Sequence, residues 1–164
     1  IKNYPEIGMM EFDEIVKVMT KNKDVYFISI GLGWPRTDEL KEKFPDRYIQ
    51  TEAAEQTALD IAVGLAYEHK IPFVYTITPF LYRGFETIRT YIAHEDLPVK
   101  MCGAGRDNDY SKDDGYSHDA KDIQKVVGLF PNIECFFPDT KEEIPQMVGE
   151  MIDNNKPSFI SLRR

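Results

Sequence analysis

The chain has little cysteine: two residues in 164, Cys102 and Cys135, too few and too far apart for a zinc pattern. Both lie in apolar runs, VKMCGAG and IECFF, where a free, buried thiol is the expected state. A reducing cytoplasm is the expected setting. No stretch reaches the ~18 to 20 apolar residues that span a bilayer, and nothing at the start has the charged-then-apolar build of a signal peptide. Basic residues are outnumbered, 20 Lys and Arg against 28 Asp and Glu, for a formal charge of −8. That argues against a nucleic-acid or anionic-membrane partner, since both need basic surface. The acids are spread along the chain as a solvated surface is. There is no Walker motif and no Gly-x-Ser-x-Gly. Gly31-Leu32-Gly33 follows a strand-like run, but Trp34-Pro35 comes next and no third glycine completes a dinucleotide fingerprint. His69 and His94 have no metal-like neighbours. The chain begins at Ile1 without a methionine, as a trimmed chain or part of a longer one would.

What is present is an alternation of strand and helix patterns over a length that suits one domain, 1–164, with a real core. Phe12, Ile15, Val16 and Met19 recur at helical spacing. DVYFISIG, RYIQ, IPFVYTIT, PVKMCGAG, IECFF and PSFISL read as strands. Between them, helices are expected over about 53–68, over about 80–94, through Ile123, Val126, Val127 and Phe130, and from a Thr140/Glu143 capping box through Ile152. GLGWPRTDELKEKFPDR reads as turn-rich. The fold class is therefore α/β, a three-layer α/β/α arrangement around a mostly parallel sheet. Ligands on such sheets bind at the carboxyl ends of the strands. The long polar loop from Arg106 to about Ser117 lies there.

Four groups of residues could carry chemistry. Glu55 opens a helix whose neighbours are Ala53, Ala54, Ala58, Leu59, Ile61 and Ala62. It is either an exposed first-turn acid favoured by the helix dipole or a carboxylate buried for a reason, since burial favours the protonated form. TPFLYRGFETI and the preceding strand gather Tyr75, Phe80, Tyr82 and Phe85 around one cation, Arg83; most such clusters are core. Asp114 and His118 sit four residues apart in the long loop, where an imidazole can move protons. Arg163-Arg164 ends the chain after the last strand, as a solvated end or an anion site.

Ala54-Glu55-Gln56, Phe80-Leu81 and Asp114-Gly115-x-x-His118, in this order, resemble the pyrimidine-binding domain of transketolase-type thiamine-diphosphate enzymes, including the deoxyxylulose-phosphate synthases. The resemblance covers nearly the whole chain, best from about Arg47 onward. It implies that Glu55 bonds a pyrimidine nitrogen of thiamine diphosphate and promotes the imino tautomer that deprotonates the thiazolium carbon. It implies that Phe80 stacks on the pyrimidine. Arg83 matches an arginine of the deoxyxylulose-phosphate synthase branch. Asp114 and His118 match groups that contact the sugar, and His118 one that can help move protons. Arg164 matches a sugar-phosphate ligand. Two departures stand out. Tyr116-Ser117 replaces Pro-Thr in the loop, and Cys102 or Gly103 stands where the synthases have a strand arginine, which puts a phosphorylated acceptor in doubt.

Such cofactors are held by two domains, the second binding the diphosphate through Mg²⁺ with a Gly-Asp-Gly motif. No Gly-Asp-Gly occurs here. The resemblance therefore implies a pyrimidine-binding subunit or excised domain, active only with a diphosphate-binding partner chain that supplies the Mg²⁺ ligands. Homodimers or hetero-oligomers of such pairs, transferring a two-carbon ketol unit of a sugar or sugar phosphate, are the expected assembly. The alternatives are a deoxyxylulose-phosphate-synthase-like or decarboxylating relative, and a non-catalytic paralogue that only binds a partner.

Overall fold

A computed structural model describes residues 6–31, 35–110 and 114–163. Six strands, β1 (Val25–Ile30), β2 (Tyr48–Thr51), β3 (Ile71–Ile77), β4 (Lys100–Ala104), β5 (Glu134–Phe136) and β6 (Ser158–Leu162), form one sheet in the order β2-β1-β3-β4-β6-β5. Every pairing is parallel, so "mostly parallel" sharpens to wholly parallel. The strand order reverses direction between β1 and β3, the kind of point where open α/β sheets admit ligands.

Alternate strand residues divide the core into two layers. Ile28, Val74, Met101 and Phe159 lie in one layer with Ala58, Leu59, Ala62 and Val63 of α3 (Glu55–Tyr67). Phe27, Phe73, Tyr75, Cys102 and Ile160 face the other way, against Phe12, Ile15 and Met19 of α1 (Glu6–Lys21) and Val148 and Met151 of α6 (Ile144–Asp153). Each large apolar side chain sealed in these layers contributes about 1.5–3 kcal/mol, whereas an exposed ion pair such as Lys17–Glu14 contributes about 0–1 kcal/mol. The two apolar layers therefore hold the sheet, and the surface charges do not.

Four stretches differ from the sequence pattern. The turn-rich segment contains a helix, α2 (Pro35–Lys43). It buries little beyond Thr37 and Leu40, so its apolar periodicity is faint. Its signals are electrical: Asp38 in the first turn, Lys41 and Lys43 in the last, and a Glu39–Lys43 pair one turn apart. The helix after β3 is not a regular α-helix. It runs as a 3₁₀ stretch Thr78–Gly84, one α turn, α4 (Phe85–Thr87), and a π stretch Ile88–Ala93. The capping box at Thr140 and Glu143 is formed, but it opens a 3₁₀ turn, Lys141–Glu143, that leads into α6. The helix through Ile123 is short, α5 (Ile123–Val127).

The 3₁₀ start is pressed tightly onto β4. A Cβ on Gly103 would lie 2.4 Å from Thr78 Oγ1 and 2.9 Å from Thr78 Cα, closer than real Cβ atoms come. Gly103→Ala must move backbone and is expected to lower the unfolding free energy by about 1–3 kcal/mol. Urea unfolding measures this; an unchanged midpoint would mean that Thr78 yields freely.

Candidate active site

The segments that follow the carboxyl ends of β2, β3 and β4 converge. After β2 the chain makes a tight turn, Ala54 N–H donating to Glu52 O at 2.5 Å, and enters α3. Ala54 at the N-cap has no side chain to offer, so the first-turn acid is Glu55 itself. Of the two readings left open by its sequence, the structure takes burial: Glu55 is 3% exposed. Arg83 Nη1 donates to Glu55 Oε1 at 2.5 Å, and the arginine side chain is 49% exposed. The same guanidinium lies over the Phe80 ring, 4.0 Å from its centroid. A flat, nitrogen-bearing, delocalised group thus sits stacked on Phe80 and hydrogen-bonded to Glu55.

Phe80 meets His118 edge to face at 5.0 Å between ring centres. Tyr110 packs on the same imidazole at 5.2 Å. His118 Nδ1 is 3.1 Å from Ser117 Oγ. The loop is braced from below at Gly105, whose φ of +80° is a conformation glycine adopts without strain. A Cβ there would strike the Tyr110 ring at 2.1 Å, so glycine lets Tyr110 lie flat against the end of β4. Asp114 is exposed, next to Gly115, which also has φ +80°. Tyr116 projects outward, 91% exposed.

Beyond β4, β5 and β6 lies a charge network. Arg106 is 3% exposed. Its Nη2 donates to Pro138 O at 3.1 Å and to Asp139 Oδ1. Arg163 reaches Asp107 at 3.2 Å, Asp109 at 3.7 Å and Asp139 at 3.2 Å. Asp139 first, then Asp109 and Asp107, raise the Arg163 pKa above its ordinary value. Tyr82 donates to Asp122 at 2.6 Å; burial and that carboxylate push its phenol well up, so it stays neutral.

Of the sequence-based candidates, Glu55, Arg83, Phe80 and His118 form one chain of contacts. Asp114 lies on the same loop as His118, and Arg164 lies outside the described residues. Tyr110 and Arg106 were not singled out from the sequence. The only hint of Tyr110 was a tyrosine in a loop otherwise rich in Asp, Gly and Ser, and of Arg106 its place right after the β4 run. Among the described residues, no group of three or more His, Cys, Asp or Glu side chains is arranged to hold a metal ion. No helix among them is long and apolar enough to cross a membrane.

A family model described as the pyrimidine binding domain of transketolase matches residues 7–164. The chain belongs to this transketolase pyrimidine-binding family. The resemblance read from Glu55, Phe80 and the Asp114–His118 loop therefore names the right family. The 1-deoxy-D-xylulose-5-phosphate synthase of Clostridium botulinum (strain Eklund 17B / Type B) is 29% identical over 155 residues, 92% of this chain and 24% of that protein. That of Corynebacterium diphtheriae is 29% identical over 150 residues, 90% of this chain and 23% of that protein. The chain spans about a quarter of the length of these curated relatives. Among solved structures, a split-gene transketolase described as an inactive β4 tetramer superposes with a TM-score of 0.84 at 24% identity, covering 96% of this chain and 51% of that one. Transketolase from Leishmania mexicana superposes at 0.79 and 15% identity, covering 94% and 25%. At these identities the superpositions speak for the fold, a three-layer α/β/α sheet of the transketolase pyrimidine-domain kind.

Proposed function

We propose that residues 1–164 are a single pyrimidine-binding unit of a thiamine-diphosphate-dependent transferase that moves a two-carbon ketol unit, and that they act only with a diphosphate-binding partner chain. One observation carries the reading. Arg83 presents a planar nitrogen-bearing group to the Phe80 face and the Glu55 carboxylate together, which is how an aminopyrimidine would be held. The site thus fits the cofactor's ring, and Arg83, half in solvent, can turn outward to yield it.

Thiamine diphosphate, when bound, supplies the carbanion chemistry. This chain's residues do the rest. Phe80 fixes the plane of the ring, and Glu55, rigid at the start of α3, holds or moves a proton at a ring nitrogen. His118, edge-on to Phe80, would be available to move protons, and Asp114 with His118 would orient sugar hydroxyls. Arg164 is the candidate for a terminal anion. Mg²⁺ would take its ligands from the partner, in a homodimer or hetero-oligomer, with the cytoplasm as the expected setting.

The exposure of the site supports a need for a partner. Glu55 is sealed on its own helix, yet Arg83 opens to solvent, and proton work of this kind needs a site closed to water. The second reading, a deoxyxylulose-phosphate-synthase-like enzyme, is favoured by Arg83 and by the relatives that carry that name. The test is co-expression with a chain bearing a Gly-Asp-Gly motif, followed by purification and a thiamine-diphosphate assay. The expected result is a stable complex with cofactor in a ratio near one per chain pair and ketol transfer from a ketose donor. A complex that forms but holds no cofactor would leave only a partner-binding role.

A further inference from the structure

We propose that Tyr82 is a positioning residue: its bond to Asp122 holds the loop that carries His118 against the segment that carries Phe80. The inference rests on the thiamine-diphosphate reading and adds to it the device that sets the imidazole's place beside the ring face.

The two groups belong to different parts of the chain. Phe80 and Tyr82 lie in the 3₁₀ stretch Thr78–Gly84, and His118 ends the short 3₁₀ turn Tyr116–His118 of the loop after β4. The stretch with Phe80 is anchored independently of that loop. Leu81 is buried in the core, and Gly84 fits so closely on α3 that a Cβ there would lie 2.2 Å from Leu59 Cδ1. The loop is anchored at its feet: Asp107 and Ala120 form an antiparallel bridge, and Ile123 is buried in the same layer as Leu81. Between the feet, Tyr116 and Ser117 are exposed and His118 is half-buried. The feet fix where the loop leaves the sheet. They do not fix how the turn leans on Phe80.

Tyr82 supplies that restraint. Its phenol stands two residues past Phe80 and donates to Asp122 Oδ1, four residues past His118, at 2.6 Å. A neutral hydroxyl on a carboxylate is a charge-assisted bond, stronger than one between neutral groups. Asp122 occupies the N-cap of α5, where an aspartate ordinarily accepts from its own first turn. It makes no such side-chain bond here, and its carboxylate is turned across to Tyr82 instead. The bond spans an open groove of about 450 Å³ lined by Pro79, Tyr82, Ser117 and Asp122 among others, next to the Phe80–His118 contact. Lying partly in solvent, it adds little to the stability of the whole fold. What it fixes is geometry, and a reacting group misplaced by about 1 Å can cost about 100-fold in rate.

The test uses the complex assembled with the diphosphate-binding partner chain and compares wild type with Tyr82→Phe, Asp122→Ala, Asp122→Asn and the Tyr82→Phe/Asp122→Ala double variant. With hydroxypyruvate as donor and D-glyceraldehyde as acceptor, Tyr82→Phe should lower kcat/KM about tenfold, while its thiamine-diphosphate Kd stays within about twofold of wild type. Asp122→Ala should match it, the double variant should be no worse than either, and Asp122→Asn, whose amide oxygen still accepts from the phenol, should recover most of the loss. A second readout needs no turnover. This chain has three histidines, so with it alone histidine-labelled the His118 imidazole resonance is resolved by its loss in His118→Gln. Its ring-current shift from Phe80 should shrink in Tyr82→Phe. An imidazole signal unmoved by Tyr82→Phe overturns the proposal. So does a loss of cofactor affinity equal to the loss of turnover, which marks a merely structural role, and so do single effects that multiply in the double variant. Wild-type complex that binds no thiamine diphosphate strikes the underlying reading instead, before any variant is made.

Discussion

Replacing Glu55 with glutamine in the assembled complex is expected to cut turnover by about 10²- to 10⁴-fold, the usual contribution of a positioned proton-transfer group. The amide has the same shape and can still accept from Arg83, but it cannot take up or release a proton. Folding should survive. Glu55 is buried, but its partner is half in solvent, so Arg83 can return to water when the charge is removed. The loss of this one pair costs about 1 kcal/mol or less. Turnover, cofactor content and urea unfolding measured on one preparation separate the effects: a collapse of the rate with assembly and stability preserved is the expected pattern. Unchanged turnover in Glu55→Gln would remove the proton-handling role from this residue. Arg83→Ala serves as the contrast, because it leaves the carboxylate in place and uncovers the Phe80 face.

Much of the fold could be read along the chain, for a physical reason. Parallel sheets bury both faces, so their strands are continuous apolar runs that stand out, and the helices between them carry clear periodicity. The wholly parallel order then fixes that whatever follows a strand lies at one edge. What could not be read was pairing across sequence distance. Glu55 and Arg83 are 28 residues apart, and nothing local says that an acid in an alanine-rich first turn will be buried against an arginine from another helix. The 3₁₀ and π character of 78–93 is likewise a tertiary result. Gly103 lets the start of that segment at Thr78 approach β4, and Gly84 lets it approach Leu59, closeness that no local pattern announces. The α2 helix escaped notice because its helical evidence is charge at its two ends and not an apolar stripe.

The stability of the chain is expected to fall as pH rises from about 5 to about 8, and Glu11 is the cause. Glu11 lies on α1, fully buried, and neither carboxylate oxygen finds a nitrogen or oxygen partner. Burial pushes its pKa up to about 8, a rise that the neighbouring Cys102 thiol only partly offsets. The groups around it do not compete in this range, since burial and the Glu11 charge itself hold Tyr75 and Cys102 neutral by raising both. The native state therefore keeps a proton that the unfolded chain releases near 4.5. Between those values the folded form binds more protons, so the contribution is fully present below about 4.5 and is lost as pH rises through about 8. Each pKa unit corresponds to about 1.4 kcal/mol, so the total is on the order of a few kcal/mol. Lys100 acts in the opposite sense but later. Its pKa is lowered to about 8 by burial, so its part rises only above that pH. Urea unfolding between pH 5 and 8 therefore isolates Glu11. In Glu11→Gln the slope should flatten and the variant should become the more stable protein at pH 8; equal slopes in both would clear Glu11. Glu11 acts on Tyr75 of β3 and Cys102 of β4, two of the strands that α1 packs against.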